Sequence, residues 1–234
     1  MAVVDLHFFF CRGERVLAHV PLVLDVDTLT LQSPDIPKPL PDWARLEFKQ
    51  CSNCTLQAAE SPYCPFATQL VGPLERLRPI IGEKSVTLRV VSEFGVVSEE
   101  TSVASAVSSL MSLLCASGGC PQMGFLRPLA RVTLPLEPAV ATTRRATGFY
   151  TLTQMFLRRG SATDEALTGL SQIYKDVQTV NNAMAKRLRA ALASEEGAMQ
   201  AERLIKLFAE ILPRAADDQL AACGERLDED APSI

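Results

Sequence analysis

The chain has 234 residues, 47% of them hydrophobic and 21% charged, which is enough apolar material to close a core as one large domain or two small ones. Its net charge of −4 argues against indiscriminate nucleic-acid binding. No apolar run reaches the ~18 residues that span a bilayer. The longest, residues 103–116, is broken by four serines, so no membrane insertion is expected.

The N-terminus has no basic stretch before its apolar residues, and no secretory leader is expected there. Residues 3–11 are apolar and aromatic, Arg12-Gly13-Glu14 makes a turn, and residues 15–24 resume with β-branched side chains. That pattern predicts a hairpin. Residues 27–32 alternate polar and apolar, the period of a half-buried strand. Four prolines follow between residues 33 and 42, a spacing that forbids helix and sheet interior. Trp43 is expected to cap the sheet, and residues 44–49 to form a strand leading into a cysteine-rich loop.

Beyond that loop, residues 66–77 predict a short helix broken at Gly72-Pro73. Residues 85–92 predict a strand, with residues 94–97 as its partner across a turn. Val103, Val107, Leu110, Met111 and Leu114 recur at helical spacing over residues 102–116, among small residues that permit close packing, and Gly118-Gly119 stops this helix. Residues 123–138 are a proline-punctuated connector, followed by a helix over residues 139–159 that holds Met155 and Phe156 in the core. Ser161, Thr163 and Asp164 offer caps for the next helix. Its stripe of Leu167, Leu170, Ile173, Tyr174, Val177, Val180, Met184, Leu188 and Leu192 is the clearest periodicity in the chain. Within it, one of Asn181 and Asn182 should face inward. A last helix is predicted over residues 197–212, and a mobile acidic tail over residues 228–234.

The charge is uneven. Residues 123–160 contain six arginines (Arg127, Arg131, Arg144, Arg145, Arg158 and Arg159) against the single acid Glu137. Residues 161–234 carry eight bases and thirteen acids. The two regions either face each other and solvate their own surfaces, or the arginines form a groove for an anionic partner. The pairs Arg144-Arg145 and Arg158-Arg159 lie fourteen residues apart, which is about 21 Å along one helix face. That span suits an extended acidic protein surface better than a compact phosphate.

Cysteine placement carries the most specific chemistry. Cys51-Ser-Asn-Cys54 sets two sulfurs on one tight turn, Cys64-Pro65 follows ten residues later, and Cys120-Pro121 completes a set of four from far along the chain. A closed four-thiolate zinc site would order a polar loop that has no periodicity of its own, since structural zinc contributes ~10–16 kcal/mol in small sites. An iron–sulfur cluster is the alternative, because a Cys-Pro pair also follows cluster ligands in ferredoxins. A redox dithiol at Cys51 and Cys54 is a third reading, though no βαβ pattern surrounds it. Cys115 is a spare that could replace one ligand; Cys11 and Cys223 read as buried thiols. The two histidines, His7 and His19, lie in the predicted hairpin, far along the chain from the cysteines. There is no phosphate loop, nucleophile elbow, HExxH or EF-hand loop, and no catalytic constellation is recognised.

Trp43, the two motifs Cys51-Ser-Asn-Cys54 and Tyr63-Cys64-Pro65, the later Gly119-Cys120-Pro121, and Leu126-Arg127-Pro128-Leu-Ala-Arg131 together resemble an uncharacterised bacterial family. In it a Cys-x-x-Cys, a Cys-Pro and a Gly-Cys-Pro recur before a helical C-terminal half. The resemblance implies no activity. It supports Cys51, Cys54, Cys64 and Cys120 as a set, leaves Cys115 outside it, and includes Arg127 and Arg131 without a role.

The expected architecture is therefore α+β: a β-rich region with the cysteine loop (residues 1–100), a helical bundle packed on it (residues 101–227), and the acidic tail. The expected function is that of a metal-binding, zinc-stabilised cytoplasmic protein. It acts as a non-enzymatic interaction module or self-associating scaffold, with a protein partner or a second copy as its target. Either the arginine-rich stretch or the Leu167 helix would present the contact. An iron–sulfur redox or sensor protein on the same cysteines is the alternative.

Overall fold

The computed structural model describes residues 2–32, 39–80, 82–131, 135–158 and 167–194. Strands β1 (Val3–Arg12) and β2 (Arg15–Asp25) form the expected hairpin, closed at Gly13, whose φ of +58° suits a residue without a side chain. Strands β3 (Leu31–Gln32), β4 (Ser85–Ser92) and β5 (Gly95–Ser102) complete an antiparallel five-stranded sheet in the order β3-β2-β1-β4-β5. Cross-strand register sets one face: Phe8 lies between Val20 and Val90, and Phe10 between Ala18 and Leu88. All six side chains are buried, as are Val4, Leu22, Leu24 and Val86.

The helices α1 (Pro65–Arg76), α2 (Val103–Ser117), α3 (Ala139–Arg158) and α4 (Thr168–Ser194) supply the other layer. In α1, Phe66, Leu70, Val71 and Leu74 join the sheet's inner face; in α2, Val103, Val107, Leu110, Met111 and Leu114 do the same. The Ser102 side chain accepts the backbone N–H of Ser105, which caps α2 at its start. Helix α4 serves two clusters. Val177, Val180, Met184 and Leu188 belong to the main core. Leu170 and Tyr174 pack with Leu129, Ala146 and Tyr150 in a second cluster that seats α3. Six residues of the predicted α4 stripe, Leu170, Tyr174, Val177, Val180, Met184 and Leu188, are thus spent inside the protein.

Several local expectations are corrected. Of residues 27–32 only Leu31 and Gln32 are strand. Asp25 accepts the backbone N–H groups of Asp27 and Thr28 and the Gln32 amide, and so closes a turn where alternation suggested a strand. Residues 44–49 are not a strand. Trp43 lies half-buried in a 3-10 helix, Asp42–Ala44, and the segment beyond it makes one isolated bridge, Arg45 to Tyr63. Helix α1 runs unbroken through Pro73, because its apolar stripe holds it against the core on both sides of the ring. Strand β5 extends past residue 97 through Glu99 and Glu100, since a sheet edge needs no apolar alternation.

The connector after α2 forms two 3-10 helices, Pro121–Leu126 and Pro128–Arg131. Met155 and Phe156, expected in the core, are exposed on α3. The caps at residues 161–164, the helix over residues 197–212, Cys223, the acidic tail and most of the proline-rich segment lie outside the described residues.

Candidate metal centre

The cysteine loop is held between the sheet-side core and α4. Its Cys-x-x-Cys turn is closed by the backbone N–H of Cys54 donating to the Cys51 carbonyl at 3.1 Å. The Asn53 amide donates to the Asp176 carbonyl on α4 at 3.1 Å, and the Asn53 carbonyl accepts from the Gln122 amide at 2.7 Å. The backbone N–H of Cys64 donates to the Ala44 carbonyl, anchoring the far end of the loop. Each Cys-Pro pair starts a helix. Cys64 is the N-cap of α1 with Pro65 at the first helical position, and Cys120 precedes the 3-10 helix beginning at Pro121. Helix initiation therefore accounts for both prolines.

Two glycines bring the Cys120 turn against Cys64-Pro65. A Cβ on Gly119 would stand 3.2 Å from the Pro65 Cβ, and one on Gly118 would stand 3.2 Å from the Phe66 ring and 2.4 Å from the Leu114 carbonyl oxygen. Gly119 (φ +81°), rather than Gly118, takes the left-handed conformation that turns the chain out of α2. The sequence thus places Cys120 beside the loop by removing the side chains that would block it.

The four sulfurs act on one another. Burial, then the neighbouring Cys64 and Cys54, pushes the Cys51 thiol up to about 11, with Arg187 opposing. Burial likewise raises Cys120 to about 12; a backbone hydrogen bond from Gln122 works the other way, and Cys64, Cys51 and Cys54 add to the rise. Cys51, Cys54, Cys64 and Cys120 are all free thiols. Among the described residues, however, no three His, Cys, Asp or Glu side chains stand so that they could hold an ion as they are. Cys64 lies in the main core and Cys51, Cys54 and Cys120 pack against that core, but the four are not in ligation geometry. Cys115 is buried and donates to the Asn181 side-chain oxygen across 3.9 Å. Asn181 is thus the inward-facing member of its pair, while Asn182 is exposed.

The element that sequence reasoning missed is Arg187. Its side chain enters the core from α4 and donates to the carbonyls of Trp43 at 2.6 Å, Arg45, and Leu46 at 3.1 Å. These carbonyls belong to the segment expected as a strand, and the guanidinium takes what a neighbouring strand would have taken. A basic residue inside the apolar stripe of α4, one position before Leu188, was the available signal.

The histidines lie on the outer sheet face. His7 Nδ1 and His19 Nε2 are 3.1 Å apart, His19 stacks on Phe9, and Arg89 covers the other part of that ring. Of the arginines, Arg145 pairs with Glu137, Arg144 is exposed, and Arg127 is half-buried with its Nε lacking a hydrogen-bond partner among the described residues. Arg131 and Arg158 end their elements with side chains outside the description, and Arg159 lies outside it entirely.

Fold and site define an α+β protein in which an irregular cysteine-bearing loop is clasped between an antiparallel sheet with its helices and a second helical layer. The chain belongs to the family described as a domain of unknown function, DUF6901, which it matches over residues 4–227. No curated protein matches it significantly, and neither does any solved structure. Among the described residues, no helix is long and apolar enough to cross a membrane.

Proposed function

We propose that this chain is a non-enzymatic cytoplasmic protein in which Cys51, Cys54, Cys64 and Cys120 hold one zinc ion that fastens the sheet half to the helical half. The observation that motivates this reading is that Cys64 lies in the main core with Cys51, Cys54 and Cys120 packed against that core, two remote segments meeting where Gly119 approaches Pro65. Three features support it. The Cys-x-x-Cys turn is already closed by its own hydrogen bond. Cys64 is the N-cap of the twelve-residue helix α1, which fixes its backbone at the far end of the loop. The Cys120 turn packs closely on Cys64-Pro65, where a Cβ on Gly119 would stand 3.2 Å from the Pro65 Cβ. Ligation would draw the sulfurs the remaining way, and the binding free energy would order a loop that makes few regular backbone hydrogen bonds of its own.

So fastened, the protein would present α3 to a partner. Leu170, Tyr174, Val177, Val180, Met184 and Leu188 of α4 are buried, which favours α3 over the Leu167 helix as the contact surface. At the end of α3, Phe156 and Leu157 are 78% and 75% exposed, with Leu152 and Met155 beside them. Helix α3 holds three arginines and no acid, so a protein segment with an acidic rim and an apolar centre fits it by charge.

Elemental analysis of protein purified without air tests the centre: one zinc per chain and no colour are expected. A brown protein with visible absorbance would replace zinc by an iron–sulfur cluster, and protein without metal would reject the reading.

A further inference from the structure

Cys51 and Cys54 stand at the two ends of a turn whose closing hydrogen bond, from the Cys54 backbone N–H to the Cys51 carbonyl, measures 3.1 Å. A turn closed in that way holds its first and last Cα atoms within about 7 Å, and a disulfide spans Cα separations of about 4.4–6.8 Å. Both cysteines are free thiols and half-buried, and Ser52 between them is exposed, which leaves the turn open to a small molecule. Cys11, Cys64 and Cys115 are buried, which withholds them from the same reagent. Asn53, the other residue between the pair, fixes the turn in place. Its amide donates to the Asp176 carbonyl of α4, and its carbonyl accepts from the Gln122 amide, so the turn is held from two sides.

We propose that Cys51 and Cys54 are a redox-active dithiol that exchanges with small-molecule disulfides, and that the fold presents them as a preformed pair. This goes beyond the zinc reading and does not rest on it; zinc on the same sulfurs would keep the pair reduced. The exchange runs in two steps. The thiolate of one cysteine attacks a sulfur of the small disulfide, forming a mixed disulfide and expelling one small thiolate. The thiolate of the other cysteine then attacks the protein sulfur of that mixed bond, which closes Cys51 to Cys54 and expels the second small thiolate. Two electrons pass to the small disulfide, and the two cysteine protons end on the two small thiols released. Because the hydrogen bond of the turn is made before oxidation, the ring closes with little backbone movement.

The test uses the full chain, stripped of metal by a chelator, reduced, and equilibrated without air in graded mixtures of reduced and oxidised glutathione. Acid-quenched, alkylated samples are mapped by mass spectrometry. The tryptic peptide of residues 50–76 should lose two hydrogens, with no backbone fragments released between Cys51 and Cys54 and ordinary fragments beyond residue 54. The same titration in urea measures the pair without its turn. The equilibrium constant for closing the bond should be at least about tenfold larger in the folded protein, where the ends are already held together.

Two free thiols at every glutathione ratio, or a bond from either cysteine to any other in the chain, would overturn the dithiol. Equal constants for folded and unfolded protein would overturn the preformed pair. The zinc reading stands or falls on elemental analysis, independently of these outcomes.

Discussion

Gly119 lies so close to Pro65 that a methyl group on it would stand 3.2 Å from the Pro65 Cβ, and the glycine's φ of +81° is one that other residues rarely adopt. Cys120 and Cys64, the neighbours of these two residues, are brought together by that approach. Gly119→Ala should therefore cost about 1–2 kcal/mol from backbone strain, before any cost of pushing Pro65 aside. Urea denaturation of the metal-free protein measures it. A loss no larger than that of an exposed loop substitution would show that the turn relaxes freely.

The cysteines should divide into two groups. Serine at Cys51, Cys54, Cys64 or Cys120 should each weaken zinc retention, since each removes one ligand of the proposed set. Serine at Cys115 should leave the zinc content unchanged, because that thiol is committed to Asn181. Zinc per chain after desalting separates the groups, and loss of metal on Cys115→Ser would place it in the ligand set.

The end of α3 should behave as a surface made for contact. Phe156→Ser alters a side chain that is 78% exposed, so stability should shift by no more than about 0.5 kcal/mol. Binding of an acidic amphipathic peptide to α3, followed by fluorescence anisotropy, should fall with Phe156→Ser and with Arg144→Glu. Peptide binding that ignores both substitutions would remove α3 as the contact.

Leu110 is fully buried in α2 between the sheet and the other helices. Leu110→Ala should cost about 2–5 kcal/mol, visible as a lowered urea midpoint with an unchanged slope. A much smaller loss would mean that this part of the core is loosely packed.

His19 has a pKa below its ordinary 6.5, because burial, then His7 and Arg76, disfavour its charged form. The unfolded chain then binds more protons than the folded one across this range. The contribution of His19 to stability is therefore complete above pH 6.5 and is lost as the pH falls through the lowered folded value. His19→Gln should flatten the decline in urea midpoint between about pH 7 and pH 5. A titration of the His19 imidazole by NMR that gave a midpoint above 6.5 would reverse the sign.

The sequence was readable where one local period governed. The β1–β2 hairpin, β4, α2 and the stripe of α4 all follow from alternation or helical spacing, and the α+β architecture follows from their order. It was not readable where a distant contact decided. Residues 44–49 lose strand geometry because Arg187, more than 140 positions away, occupies carbonyls of Trp43, Arg45 and Leu46. Pro73 leaves α1 intact because packing on both sides outweighs one missing donor. Strand β5 was cut short because Glu99 and Glu100 lie on a free edge, where no apolar period is required. For the site, spacing grouped the four cysteines as an expectation, and the structure adds that the Cys120 turn packs against Pro65 at Gly119. The buried guanidinium of Arg187 was hidden within a largely apolar helix face.

Thermal unfolding of the purified protein, before and after removal of bound metal by a chelator under reducing conditions, tests the central claim most directly. Stoichiometric zinc held about a thousandfold above its dissociation constant should add about 4 kcal/mol, so chelation should lower the midpoint by about 8–16 °C and readdition of zinc should restore it. Protein that carries no metal, and whose midpoint neither chelator nor zinc moves, would contradict an ion at the meeting point of Cys51, Cys54, Cys64 and Cys120.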